Sequence, residues 1–550
     1  MNWAAPTHSF NPRKFLKQFA LLASLCSAMF AAACGGGGST PAPPPPTGNF
    51  SNASLKGQYA FFMSGTILTN NSSTFFARIG SFTADGNGNI TTGIEDVDVA
   101  GPERIALSPS TYTIHADGRG VVNLVGSGSL SFSVTLLSPT QGLIVETDLN
   151  ATASGTFFLQ DSNSFTTAGF NGDYVFDVSG LDFNPQISDP LNSPVPDSIV
   201  GQFVSNGSGA LSGLLDENDD ANPSGGQPFT SGSFQLDATN GPTFGRGTMT
   251  FVANGVTYNY IYYVVNGSRL VLIEDSSGSG VLTVGTATAQ ASVPTSNATF
   301  NGNFAFLTSG SGTSGPITRI GRFSANGSGA LTSVFADTND NGGTAQVPKG
   351  SLSATTYAID TNFTGSGRGT LTFTDSQLGT FSFVFYLSSP SGGVIQDVSI
   401  NNNKGNVGDG FLQLQTGAPF TQAGLAGDYG FNFSGVSSNS NTMVTAEEDF
   451  VGQMTLSSAA SNNVSGAVDF SEFSSNQGVF LNVVLSGTGL TVGGDGTTSS
   501  GMRNALALKL LTNPSSTINF VPYFVDSQHM FVAGTDSDRV LSGVITLQNP

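Results

Sequence analysis

From residue 51 onward apolar and polar positions alternate with a period of two, and turn residues interrupt the alternation every ten to fourteen positions. That pattern predicts half-buried β-strands, and no ten-residue stretch carries a convincing helical period. Residues 51–161 show the plan, with candidate strands at 58–64, 75–84, 89–97, 110–115, 120–125, 129–137, 142–147 and 155–160. Asp85-Gly86-Asn87-Gly88 and Asp117-Gly118 mark hairpins, because these residue types accept the positive φ that tight hairpins need. The first of these turns returns as Asn206-Gly207-Ser208-Gly209 and as Asn326-Gly327-Ser328-Gly329.

The whole plan repeats. A Gly-aromatic opener stands at Gly57-Gln58-Tyr59-Ala60-Phe61, Gly172-Asp173-Tyr174-Val175-Phe176, Gly302-Asn303-Phe304-Ala305-Phe306 and Gly427-Asp428-Tyr429-Gly430-Phe431. A closer follows each, from Gly155 to Gln160, Gly285 to Gln290, Gly410 to Gln415 and Gly543 to Gln548. Each of the first three closing glutamines lies twelve residues before the next opening glycine, so insertions fall inside the units and never in the joints. The chain therefore divides into four modules, 51–161, 168–291, 298–416 and 423–550. The last is divergent, with no clear Asn/Asp-Gly-x-Gly hairpin and a longer, more polar middle. Eight antiparallel strands per module predict an up-and-down β-barrel in which strand eight pairs with strand one; a two-sheet sandwich is the alternative. Alternation points Tyr59/Phe61/Met63, Tyr174/Phe176/Val178, Phe304/Phe306/Thr308 and Tyr429/Phe431/Phe433 inward, which favours filled cores over roomy cavities.

The first 33 residues read as a signal peptide. Arg13, Lys14 and Lys17 form a positive start, and 19–33 is an apolar stretch of 15 residues that is short for a membrane span. Its end, Ala31-Ala32-Ala33-Cys34-Gly35, resembles the lipobox of bacterial lipoproteins. That resemblance implies cleavage before Cys34, acylation of Cys34, and, with glycine rather than aspartate at 35, residence at the outer membrane of a Gram-negative bacterium. A Gly-rich then Pro-rich tether, 34–50, follows. The acyl chains, at about 0.8 kcal/mol per buried CH2, would be the membrane contact.

Two cysteines, Cys26 and Cys34, leave the mature chain with neither a disulfide nor a thiolate metal site. Of 17 cations three leave with the signal, so 14 face 37 acids and the mature net charge is −23. A chain this acidic, without a basic patch, does not track phosphates, which excludes nucleic acid as a partner.

Catalytic constellations are sparse. His115 and His529 have no partner at metal-ligand spacing, and neither a nucleophile elbow nor a phosphate loop is present. The recurring acidic run is Glu95-Asp96-Val97-Asp98, then Asp216-Glu217-Asn218-Asp219-Asp220, then Asp337-Thr338-Asn339-Asp340-Asn341-Gly342. Read as a turn, it offers Asp216, Asn218, Asp220, Asp337, Asn339 and Asn341 as a weak calcium or ligand loop, although Pro348 stands where a closing glutamate belongs. Otherwise no cofactor is expected. Gly-Arg-Gly recurs around Arg119, Arg246 and Arg368, and each arginine is expected to form an exposed pair with its own module's acidic turn, of under about 1 kcal/mol. Tyr258, Tyr260, Tyr262 and Tyr263 read as a packed strand before they read as a sugar-stacking strip.

The Cys-Gly-Gly-Gly-Gly start and the Gly-x-Tyr-x-Phe, Asp-Gly-x-Gly and Gly-Arg-Gly marks resemble tandem-repeat surface lipoproteins of Gram-negative soil bacteria such as acidobacteria. The resemblance implies a location and no activity. The expectation is a non-enzymatic, lipid-anchored protein, periplasmic or cell-surface facing, for adhesion, envelope structure or display toward an unknown surface partner or glycan. The alternative is a small-ligand or glycan binder that uses the barrels or their loops.

Overall fold

The computed structural model describes residues 48–550 apart from 70–71, 100, 184–193, 402–403, 439–444, 460–462, 474–477, 487–488, 494–503 and 513–514. The expected signal peptide, Cys34 and nearly all of the expected tether lie outside the described residues. Modules 1 and 2 are closed eight-stranded antiparallel barrels, from Lys56–Thr69 to Ala151–Leu159 and from Asn171–Asp182 to Val281–Ala289. In module 3 the fourth strand is in two pieces, Gly343–Val347 and Leu352–Ile359, with Pro348, which has no N–H for a ladder, between them. The result is a nine-stranded sheet whose ends meet at a single bridge, Ala330 to Thr356. Module 4 is also nine-stranded and closes where Leu485 pairs with Leu510. In all four the eighth strand pairs with the first, as Phe61 with Phe157, Phe176 with Ala287, Phe306 with Leu412 and Phe431 with Ile545. These are barrels, not two-sheet sandwiches.

The inward faces are those the alternation predicts. Tyr59, Phe61 and Met63 are buried with Phe82, Phe132 and Phe157 in module 1, and modules 2, 3 and 4 have equivalent aromatic cores. At about 1.5–3 kcal/mol per fully buried large apolar side chain, each barrel carries its own stability.

The outward faces are not all wet. Strands one to three of each module pack against strands six to eight of the next. Modules 1 and 2 bury Ile79 and Ile94 against Ile261, Val271 and Ile273, modules 2 and 3 bury Val200 against Val384 and Tyr386, and modules 3 and 4 bury Ile320 against Tyr523 and Phe531. Module 4 then meets module 1 through the same strands, with Val451 against Leu137, Leu143 and Val145. Four head-to-tail contacts of one kind thus close into a ring, with the seam between strands eight and one turned to its middle.

The closing glutamine makes each joint. Its backbone N–H completes its own barrel by donating to the residue after the opening glycine: Gln160 to Gln58, Gln290 to Asp173, Gln415 to Asn303 and Gln548 to Asp428, at 2.7–2.8 Å. Its side-chain Nε2 enters the next module. Gln160 donates to the Phe244 and Val264 carbonyls (3.1 and 2.6 Å), and Gln290 to those of Ser366 and Leu387 (2.8 and 2.7 Å). Gln415 donates to Phe524 (2.6 Å), and Gln548 to Asp117 and Leu136 of module 1 (2.9 and 2.7 Å).

Ring closure is testable by X-ray scattering. Residues 48–550 should have a radius of gyration near the ~23 Å of a single compact body of that length, not that of four beads on a string. Gln548→Leu leaves two buried carbonyls without their donor, at about 1–3 kcal/mol each. Amide exchange should then accelerate in Ser129–Ser138 of module 1 and in Gly427–Ser438 of module 4, while the barrel cores keep their protection.

Candidate functional site

Strand alternation splits the recurring acidic run into two sets with different fates. The run lies mostly on the third strands, Asn89–Asp98, Leu211–Asp219 and Leu331–Asp340, and only Asp220, Asn341 and Gly342 fall in a turn. Its outward members enter the joints. Asp96 accepts Nε and Nη2 of Arg246 (both 2.8 Å) and the Tyr263 hydroxyl (2.6 Å). Asp216 accepts the same two atoms of Arg368 (both 2.7 Å) and the Tyr386 hydroxyl (2.5 Å). Asp337 accepts Tyr523 (2.7 Å). The Asn218 amide nitrogen donates to the Asp397 and Asn406 carbonyls (3.0 and 2.7 Å), and that of Asn339 to Gly534, Asp536 and Arg539 (2.9–3.1 Å). Asp220 and Asn341 hold positive-φ hairpin positions, at φ 48° and 49°. Asp216, Asn218, Asp337 and Asn339 therefore sit in the joints, and Asp220 and Asn341 in the hairpin turns.

The Gly-Arg-Gly arginines differ from the sequence expectation in partner and in burial. Arg246 and Arg368 fork onto the preceding module's third-strand aspartate, and only their Nη1 atoms stay at home, on Asp237 (2.8 Å) and Asp360 (2.6 Å). Arg119 pairs with Asp117 in its own module and reaches Asn482 of module 4 at 3.0 Å. Asp96 and Asp216 are buried, which period and composition cannot show because the burying surface belongs to another module. The glycine before each arginine has φ between 72° and 86°; a Cβ on Gly118 or Gly367 would stand 2.6 or 2.9 Å from the closing Nε2 of Gln548 or Gln290.

The inward members gather inside the barrels at the end away from the closing glutamines. In barrel 1 Arg78 bonds Glu95 (2.9 Å) and Glu146 (3.4 Å). In barrel 3 Arg319 bonds Asp397 and Ser399 and stacks on Phe381. In barrel 4 Arg539 faces Glu448 at 3.5 Å. Barrel 2 breaks the rule: two residues before the inward glycine, where barrels 1 and 3 carry Arg78 and Arg319, stands Ile199. Around it are Asp182, Asp197, Glu217, Asp219 and Glu274. Tyr258 donates to Glu217 (3.0 Å), and Thr283 and Tyr260 donate to Glu274 (2.7 and 3.5 Å). Burial first, then neighbouring carboxylates, push the Glu274 carboxyl up to about 8 and Asp219 to about 6, and hold Asp197 well above its ordinary range. Tyr258, Tyr260 and Tyr262 face this barrel's interior and Tyr263 faces the joint, so the tyrosines form a packed strand. Sequence reasoning overlooked this cluster because it read the run as one turn; the scarcity of cations in module 2, only Arg246 and Arg269, was the available signal.

More acids lie where the modules meet. Asp177 of module 2, raised to about 7 by burial and by Asp409, faces Asp409 of module 3, itself raised to about 6 by burial. Asp449 of module 4, raised to about 7 by burial, accepts Thr152 of module 1 at 2.8 Å.

Two outcomes follow. Asp216→Ala removes a buried carboxylate and strips the partly buried Arg368 guanidinium and the buried Tyr386 hydroxyl of their acceptor, and should cost about 3 kcal/mol in chemical denaturation, against under about 1 kcal/mol for the exposed Arg104→Ala. The second concerns pH. Carboxylates raised in the fold stabilise fully below their unfolded value near 4 and lose that contribution as pH rises through 6 to 8. Asp237 and Asp375, held low, are already ionised there and contribute no slope. Without added cations, the melting temperature should be higher at pH 5 than at pH 8.

No protein-family model and no curated protein matches the chain. Among solved structures, a transferrin binding protein B mutant, Trp-176-Ala, from Haemophilus parasuis Hp5 is similar at 9% identity over 74% of this chain and 84% of its own, with a TM-score of 0.20. The intact Ap-TbpB, with N and C lobes, is similar at 10% identity over 74% and 83%, with a TM-score of 0.17.

Proposed function

We propose that this protein is a non-enzymatic, lipid-anchored cell-surface scaffold, a ring of four barrels held off the outer membrane by the 34–50 tether for adhesion, envelope structure or display. The observation that carries this reading is the closed ring of barrels with aromatic interiors, a body built to present surfaces. Its handedness toward the membrane follows from the entry of the chain. Phe50 donates its N–H to the Ala116 carbonyl and packs in the barrel 1 core, at the end where the joints lie. An acylated Cys34 would therefore set the joint face toward the lipid and the charged barrel mouths outward.

A second reading, small-ligand binding, has support at the mouth of barrel 4. The mouth of barrel 4 opens into a cavity of about 380 Å³ walled by Phe450, Phe470 and Phe480, whose rings stack at 4.9 and 4.5 Å, with Glu448, Glu472 and Arg539 below.

Native mass spectrometry of the mature protein, taken gently from its own membranes, separates the readings. Acyl mass on Cys34 with bare modules is expected, and Cys34→Ser should release the ring from the membrane fraction. A non-covalent adduct lost on Phe470→Ala would establish the ligand reading, and absence of acyl mass would end the anchored one.

A further inference from the structure

We propose that the outer mouth of barrel 2 is a divalent-cation site, of the class that binds Ca2+, formed by Asp197, Glu217, Asp219 and Glu274 with Asp182 at its edge. These residues are distinct from the outward-facing Asp216 and Asn218 of the same run.

Three observations converge. First, topology brings the acids to one end of one barrel: Asp182 ends the first strand, Asp197 lies near the start of the second, Glu217 and Asp219 end the third, and Glu274 ends the seventh. Asp197 and Asp219 are direct cross-strand partners, a placement that like charges oppose unless something sits between them. Second, the counter-charge that the other barrels carry is missing. Arg78, Arg319 and Arg539 each answer the acids of their own mouth. Module 2 has Ile199 at the corresponding place, and its two arginines are engaged elsewhere, Arg246 on Asp96 and Asp237, and Arg269 over the Phe158 ring at 4.5 Å. Third, Asp197 is only 3% exposed, faces into the cluster, and has a carboxylate oxygen with no hydrogen-bond partner among the described residues. A buried carboxylate without hydrogen bond or ion is among the most costly groups a fold can hold.

The donor set selects the cation. Every ligand is a carboxylate oxygen, which suits a hard ion and not zinc or copper. Among the described residues no three acids yet converge as a formed metal centre. Binding must therefore draw side chains in by rotation, which Ca2+, with its flexible shell of six to eight oxygens, tolerates better than Mg2+. The hydroxyls of Tyr258 and Tyr260 hold one oxygen each of Glu217 and Glu274 and leave the others to turn toward the ion.

The competing way to neutralise the cluster is protonation, and the experiment separates the two. The full mature chain is melted at pH 8 with Ca2+ and with chelator, and titrated with Tb3+, whose emission Tyr258 and Tyr260 can sensitise. Ca2+ should raise the melting temperature, Tb3+ emission should saturate and be displaced by Ca2+, and both effects should fall at least tenfold in affinity in Asp197→Asn. That variant keeps the shape of the side chain and should melt higher than the native chain without metal. Ile199→Arg, which copies barrels 1 and 3, should abolish binding in the same way, whereas Glu146→Gln in barrel 1 should leave it unchanged. A melt that rises only on acidification, with no Ca2+ shift and Tb3+ emission equal in native and Asp197→Asn chains, would overturn the proposal in favour of protons alone.

Discussion

One primary amide at the end of each barrel is used from both sides, and the architecture depends on it. The backbone of the closing glutamine zips strand eight onto strand one, while its side chain is already inside the following module. Two fixed anchor points on one residue leave no slack in the path to the next opener. That is the physical reason the joint keeps twelve residues while the modules grow and shrink between their brackets. Because Gln548 finds in module 1 what Gln160 finds in module 2, the last copy is a bridge and not a terminus.

The ring follows from strands that bury both faces. In Leu270-Val271-Leu272-Ile273, Leu270 and Leu272 fill barrel 2 while Val271 and Ile273 cover barrel 1. A strand wet on one side alternates; one buried on both reads as a continuous apolar run. Such runs recur in strands six and seven, and each marks a surface that meets the preceding module.

The eight strands of modules 1 and 2, the inward aromatic face and barrel closure were legible because each is local or follows from the repeat period. The joints were not. Period two says that Asp96 and Glu95 face opposite ways, but nothing in the run says that Asp96 meets Arg246 of another module at 2.8 Å. The pairing was sought within a module because the Gly-Arg-Gly mark and the acids share a repeat; a head-to-tail ring displaces every such contact by one unit. The break in strand four of module 3 was equally hidden, since Pro348 was read against a calcium loop and not against a ladder. The barrel mouths were missed for the opposite reason: their acids were visible, but reading a turn there erased the alternation that sends half of them inward.

Charge explains how so acidic a body holds together. From residue 34 onward the chain has ten arginines and four lysines, and six of the arginines, Arg78, Arg119, Arg246, Arg319, Arg368 and Arg539, sit against carboxylates in joints or mouths. A guanidinium suits these places because it stays charged when buried and offers a planar fork to two oxygens. With cations so few, each buried acid either has its arginine, holds a proton, or awaits an ion from solvent. Barrels 1, 3 and 4 take the first course. Barrel 2, with an isoleucine at the shared position and more acids than any other mouth, has exchanged a counter-ion carried by the chain for one that must be recruited from outside.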